Sequence, residues 1–297
     1  MIMARPSDLL TRAVAAKARI QLAHVEVTDA AHALERSHLS GPTASLALAE
    51  ALAGVALLGA ELTRPQETIT LRLRVTGPVE GLLVEAAENG GLRGYTNVKV
   101  MNDLDVREEL DTSEAFGDRA EVQILRSVPG RILGHASFET RPASVRSAVE
   151  RYYAQSLQRR AAAQLTAVAY GGTLDQARGV LALAMPDTPE GEFERLAALF
   201  EDQTAAEELE ACESLEELAG VLGLGDLAFE APRPLRFACR CSPARVAEML
   251  DALEEKDLAA MAAANRPTTI TCHMCGRGYA VEAADLAQRL AKRKGKS

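Results

Sequence analysis

"TITLRLRVTGPVEGLLVEAAENGGLRGYTNV", residues 68–98, alternates at its start with a period of two. Ile69, Leu71, Leu73 and Val75 point one way, and Thr68, Thr70, Arg72 and Arg74 the other. Such alternation predicts a half-buried strand, because successive side chains of a strand leave opposite faces of the sheet. Gly77-Pro78 marks a turn, "VEGLLVEAAE" a second strand, and Asn89-Gly90-Gly91 a turn into a third, "LRGYTNV". The three glycines of "GGLRG" at 90–94 lie between strand signals, so they read as turn chemistry rather than a phosphate-cradling loop.

Outward from this meander, residues 18–28, "ARIQLAHVEVT", predict another strand, with a helix starting at the cap Asp29 and a longer one after Pro42. The run from Ala44 to Leu62 is the most apolar of the chain. It carries Glu50 near its middle and many small residues, which predicts a buried helix rather than a membrane span. Strands are expected at 121–127 and 131–139, a long helix over the Ala-, Arg- and Gln-rich segment 143–165, and a last strand containing Leu181, Leu183 and Met185. Clustered strands beside long helices predict an α+β fold rather than repeating βαβ units. His24, His32, His38 and His135 fall in no nucleophile or metal motif, and no catalytic constellation emerges.

The 297 residues suggest two domains, or one and a module. A formal charge of −9 argues against binding driven by nucleic-acid phosphates, and 4% aromatics without tryptophan argues against base-stacking platforms. The opening "MIMARPSDLLTRAVAAKARI" has no uninterrupted apolar stretch of the secretory kind, so a cytoplasmic location is the expectation. Cysteines in that compartment bind metal or do redox work.

Residues 186–230 hold fourteen Asp or Glu and one basic residue, Arg195. Thr188-Pro189-Glu190 reads as a helix start, with Phe193, Leu196, Leu199 and Phe200 on one face. Ser214-Leu215-Glu216-Glu217 reads as a capping box and Gly223 as a helix stop. Short amphipathic helices are marginal alone, so this segment is either an ordinary docked connector or a metastable element able to undock. Cys212 within it reads as a half-buried thiol with no metal role. Pro232 and Pro234 break helix and mark a boundary.

Beyond that boundary stand "FACRCSP", residues 237–243, and "TITCHMCGRG", residues 269–278. Cys239 and Cys241 form a C-x-C pair, Cys272 and Cys275 a C-x-x-C pair, with thirty residues between. Four thiolates from two such knuckles fit tetrahedral Zn2+. His273 is left out of the ligand set because four sulfurs fill the tetrahedron. Four thiolates around a divalent ion leave a charge of −2, which Arg240, Arg245 or Arg277 can partly offset. Between the knuckles, Pro243 to Asn265 should be helical, with Val246, Leu250, Leu253, Leu258 and Met261 for a core. Tyr279 and Val281 offer apolar cover, "DLAQRLAK" predicts a final helix, and "RKGKS" a solvated tail. A module of about sixty residues buries too little apolar surface to be secure without a staple. The spacing also permits redox chemistry, since an oxidised thiolate has a neighbour able to attack it.

These motifs resemble the heat shock protein 33 family of redox-regulated holdase chaperones. The likeness rests on "CRCSPARVAEML" and "TCHMCGRGYAV", on the acidic helical stretch, on "GPTASLALAEALAGVALLGAEL" and on the strand meander quoted above. "VERYYAQSLQ" at 149–158 is similar to a family segment that usually continues Ser-Glu-Gln; Leu157 departs from it. The resemblance implies an α+β core at 1–185, an acidic helical linker at 186–234 and a zinc-binding redox-switch domain at 235–297. It implies a protein that is not an enzyme and holds Zn2+ on Cys239, Cys241, Cys272 and Cys275 while reduced and inactive. Oxidation to two disulfides, within the C-x-C and C-x-x-C pairs, then releases zinc and unfolds module and linker. The oxidised protein associates as a homodimer and binds unfolding client proteins without ATP, with no nucleic-acid or membrane partner. Two rivals are a structural zinc ribbon serving as an interaction or nucleic-acid adaptor without redox switching, and a thiol–disulfide oxidoreductase using Cys272 and Cys275. The net charge opposes the first, and the following glycines oppose the second.

Overall fold

The structure, a computed structural model, describes residues 8–202, 204–264 and 266–294. It divides into two compact units, 1–238 and 239–297. The fold is α+β.

In chain order the first unit begins with β1 (Leu9–Ala15), β2 (Ile20–Glu26), α1 (Thr28–His38) and α2 (Pro42–Leu58). The meander follows as β3 (Thr68–Val75), β4 (Gly81–Ala87) and β5 (Gly91–Thr96), all antiparallel neighbours. Gly90 turns between β4 and β5 at φ +81°, and a Cβ there would lie 2.0 Å from the Pro234 carbonyl oxygen. Two short helices, α3 (Asn102–Asp105) and α4 (Thr112–Phe116), lead to the hairpin β6 (Ala120–Val128) and β7 (Arg131–Thr140). Then come α5 (Val145–Ser156), β8 (Ala161–Tyr170) and β9 (Thr173–Ala184). The acidic stretch forms α6 (Glu192–Glu201), α7 (Thr204–Ala211) and α8 (Leu215–Val221). Three short strands close the unit: β10 (Leu227–Phe229), β11 (Arg233–Pro234) and β12 (Arg236–Phe237).

One sheet runs β10-β1-β2-β9-β8, with β11 also on β1; the other runs β12-β5-β4-β3-β6-β7. Helix α2 packs against strands of both and is buried along nearly its whole length. That explains its apolar run: 94% of its most apolar window lies inside the protein. Strand β9 shows why its end reads as continuously apolar. Leu181 and Leu183 join the core shared with α2, while Val180, Ala182 and Ala184 face a second core on the other side. A strand covered on both faces has no polar face to alternate.

The acidic helices cover that second face. Phe193, Leu196, Phe200, Leu209, Leu215, Leu218 and Leu222 pack with Ile20, Leu22, Val180 and Ala182. Arg178 on β9 fixes them further. It pairs with Glu26 at 2.6 Å and donates to the carbonyls of Cys212 (2.7 Å), Leu209 (3.3 Å) and Glu210 (3.4 Å) at the end of α7.

Several expectations need correction. The helix predicted over 143–165 stops at Ser156, and Ala161–Ala169 pair instead with β9. Alanine's helix preference is worth only tenths of a kcal/mol per residue, and a full sheet ladder outweighs it. Helix α1 is not capped by the Asp29 side chain; Asp8 accepts from the Asp29 and Ala30 amides at 2.8 and 2.7 Å. Thr188 caps no helix: its hydroxyl donates to the Arg19 and Met185 carbonyls, and α6 begins after Gly191 at φ +81°. Ser214 does cap α8, accepting from the Glu217 amide, and Gly223 ends that region at φ +74°.

The second unit contains α9 (Pro243–Ala252), α10 (Glu255–Ala263), the hairpin β13 (Thr268–Thr271) and β14 (Gly278–Val281), and α11 (Ala283–Lys294). The helical stretch expected from Pro243 to Asn265 forms as two helices, because Leu253 and Glu254 adopt extended backbone between them. The break leaves the last carbonyls of α9 free to accept from Arg293, which reaches Leu250 O at 3.0 Å and Leu253 O at 2.5 Å. Asn265 and most of the expected solvated tail lie outside the described residues. Leu250, Leu258, Val281 and Leu286 form the buried core, with Val246, Leu253 and Met261 partly buried around it.

Candidate metal centre

Cys239 and Cys241 precede α9, whose start is fixed by Ser242, accepting from the Arg245 amide, and by Pro243 at the first turn. Cys272 and Cys275 sit in the turn joining β13 to β14. The Cys272 carbonyl accepts from Cys275 N (3.3 Å) and Gly276 N (2.8 Å), and Cys272 N donates to Arg277 O (2.9 Å). Gly276 completes this knuckle at φ +69°, where a side chain would be strained.

The four sulfurs converge within 4.8 Å of one another. Across the two knuckles, Cys239 Sγ lies 3.8 Å from Cys272 Sγ, and Cys241 Sγ lies 3.4 Å from Cys275 Sγ. A tetrahedron with Zn–S bonds of about 2.3 Å has S···S edges of roughly 3.8 Å. A disulfide would need about 2.05 Å, and none of the four cysteines is in one here. Burial pushes the Cys275 thiol far above its ordinary range and raises Cys272 as well. Four thiolates crowded like this need a compensating cation, and soft sulfur donors suit Zn2+. The donor set and its spacing therefore fit the metal that the sequence suggested.

A model described as Hsp33 protein matches residues 8–282. The chain belongs to the Hsp33 family. It is 29% identical to the 33 kDa chaperonin of Gloeobacter violaceus over 290 residues, covering 94% of each chain. It is 30% identical to that of Thermus thermophilus, covering 91% of this chain and 83% of the relative. The crystal structure of the Thermotoga maritima 33 kDa chaperonin superposes with a TM-score of 0.87 at 18% identity, covering 98% of this chain and all of the other.

Within this Hsp33 fold the surroundings of the sulfurs supply a detail the sequence did not suggest. Tyr279, read as apolar cover, donates its hydroxyl to Cys241 Sγ at 3.0 Å. Its place two residues past the knuckle's Gly276-Arg277 was the available signal. Arg277 interacts with Tyr279, Cys241 and Cys275, so it is one of the three arginines that does face the sulfur cluster. Cys212 lies in the first unit and is buried more deeply than expected, its Sγ 3.7 Å from Glu208 Oε2. His24 and His38 are buried; His38 Nε2 meets the Gly94 carbonyl at 2.9 Å, and burial beside Arg178 pushes His24 down to about 4.

Proposed function

We propose that this chain is a redox-regulated, ATP-independent holdase, inactive while Cys239, Cys241, Cys272 and Cys275 hold zinc. The observation that carries the reading is the single cluster formed by both cysteine motifs. Bound zinc supplies a cross-link between the knuckles and balances thiolate charge. Peroxide oxidises one thiolate to a sulfenic acid, giving up hydroxide; a neighbouring thiolate then attacks that sulfur, expels a second hydroxide and forms the S–S bond. Each disulfide removes two donors. Pairing within each motif, Cys239 with Cys241 and Cys272 with Cys275, is the family's pattern and part of this proposal.

Loss of the cross-link unfolds the small second unit, 239–297. The chain immediately before it is the strap β10–β12, held to the core by backbone bonds such as Ala238 N to Leu92 O at 2.9 Å. Before the strap lie α6–α8, whose apolar side chains cover the sheet. Releasing them uncovers two complementary apolar surfaces, suited to unfolding clients in the bacterial cytosol and to self-association as a homodimer. The linker role of 186–234 and the switch role of 235–297 belong to this reading.

Light scattering of a heat-unfolding client tests it. The zinc-loaded, reduced chain should leave aggregation unchanged, and the peroxide-treated chain should suppress it as zinc leaves. Equal suppression in both states would make the holdase constitutive. No suppression in either would favour a structural zinc-ribbon adaptor.

A further inference from the structure

A cavity of about 380 Å³ opens in the first unit, far in sequence from the cysteines. Four segments build it: the loop before β3, the facing ends of β6 and β7, and the last turns of α5. Its charged lining is Arg64, Glu67, Arg126, Arg131 and His135, with Tyr152 beside them. Glu67 is fully buried and already satisfied. One oxygen accepts from Arg126 Nη2 (2.6 Å) and Nε (3.2 Å), the other from the Thr63 and Arg64 amides at 3.3 and 3.2 Å. Arg126 is thereby held in a fixed orientation, with Tyr152 against its guanidinium.

The other two guanidiniums are not spoken for. Among the described residues, neither Arg64 nor Arg131 forms an ion pair or side-chain hydrogen bond, though the chain is rich in carboxylates. The lining thus carries two unbalanced positive charges. Guanidinium forks match phosphoryl oxygens geometrically and stay charged at every physiological pH. Like charges gathered around a cavity repel one another unless an anion joins them, and in a chain of net charge −9 the spot stands out. The volume falls in the usual range for small-molecule sites, ~300–1,000 Å³, and exceeds what a lone inorganic ion needs.

We propose that the cavity lined by Arg64, Arg126 and Arg131 is a binding site for a diphosphate group, free or carried on a nucleoside. Arg126, positioned by Glu67, is the preset arm, and Arg64 and Arg131 close on the ligand from the exposed sides. The site is independent of the redox reading, since none of its residues lies in the acidic helices or in the second unit.

Calorimetric titration of the reduced, zinc-loaded full chain tests this, with inorganic pyrophosphate, ADP and sulfate at matched ionic strength. Pyrophosphate or ADP should bind saturably at one site per chain. Affinity should fall by at least about tenfold in Arg64→Ala/Arg131→Ala, the loss expected when charge-assisted bonds are removed. Both arginines are exposed and unpartnered, so the variant should keep its thermal midpoint without ligand while losing the ligand-induced rise. Tighter binding of ADP would assign a nucleotide-borne diphosphate, and tighter binding of pyrophosphate a free one. Absence of saturation, equal affinity in the double variant, or equal binding of sulfate would overturn the proposal.

Discussion

Glu50 is the sole charged residue of α2, and Thr112 Oγ1 donates to its carboxylate at 2.8 Å. Burial pushes its carboxyl up to about 7; the Thr112 bond opposes the shift and the nearby Asp111 charge reinforces it. Asp8 behaves alike. Burial raises it to about 7 against the two amide bonds that it accepts at the start of α1. An acid that holds its proton more tightly when folded stabilises the fold fully below its ordinary pKa. That contribution is lost as pH rises through the folded value. The core should therefore lose stability between about pH 5 and 8, on the order of 1–3 kcal/mol for Glu50. Glu50→Gln stays neutral at every pH and keeps the apolar surroundings. Thermal melts of the reduced protein across this range should show a falling midpoint for the parent chain and a flatter profile for the variant, with the gain at pH 8. Parallel profiles would mean that the Glu50 carboxyl ionises freely in the fold.

The acidic helices are the element on which the proposed switch depends, and Arg178 is their polar anchor. Its guanidinium joins the buried Glu26 carboxylate to the carbonyl end of α7. Arg178→Met would leave the Glu26 carboxylate buried with its Thr28 bonds but without its counter-charge, a loss of about 3–5 kcal/mol. Glu26→Gln/Arg178→Met removes that charge and should recover much of the thermal midpoint, yet the carbonyls of α7 stay unclamped. Limited proteolysis of the reduced, zinc-loaded chains should cut faster within 204–224 in both variants. An unchanged cutting rate in the double variant would show that apolar packing alone holds the helices. This anchor was not readable from sequence, because Arg178 and Glu26 stand 152 positions apart and nothing local marks either. The meander at 68–98 was readable, since alternation and turn glycines are local signals that the fold keeps. The strand β8 was not: "AAAQL" prefers helix by itself and becomes strand only through its ladder with β9. The same divide runs through the metal centre. Cysteine spacing announced the two knuckles, whereas the 3.4 and 3.8 Å approaches between them and the Tyr279 bond arise only when α9 and the β13–β14 hairpin pack.

At the scale of the whole chain, the two units differ in what holds them. The first has two extensive apolar cores; among the described residues the core of the second buries only Leu250, Leu258, Val281 and Leu286. Thiolate-bound zinc contributes roughly 10–16 kcal/mol of apparent free energy in small peptides at neutral pH. A whole domain's net stability is about 5–15 kcal/mol. A strong chelator under reducing conditions should therefore unfold the second unit and leave the first. Hydrogen exchange would show this as loss of protection in the β13–β14 ladder, with the β2–β9 ladder unchanged. The strap β10–β12 decides whether the event travels further. Its strands pair with the core through ladders only two or three residues long, β10 and β11 on β1 and β12 on β5, with further bonds such as Glu230 N to Arg12 O (2.9 Å), Leu235 N to Asp8 O (3.0 Å) and Arg236 N to Gly90 O (3.0 Å). Short edge ladders open locally at low cost, whereas a sheet interior opens only with the whole fold. Chelation should thus raise exchange in 227–238 next, and in α6–α8 after it. If the strap stays fully protected while the second unit exchanges freely, the cysteine cluster has no mechanical route through the chain to the helices that cover the sheet. Any holdase activity on oxidation would then come from the unfolded second unit alone.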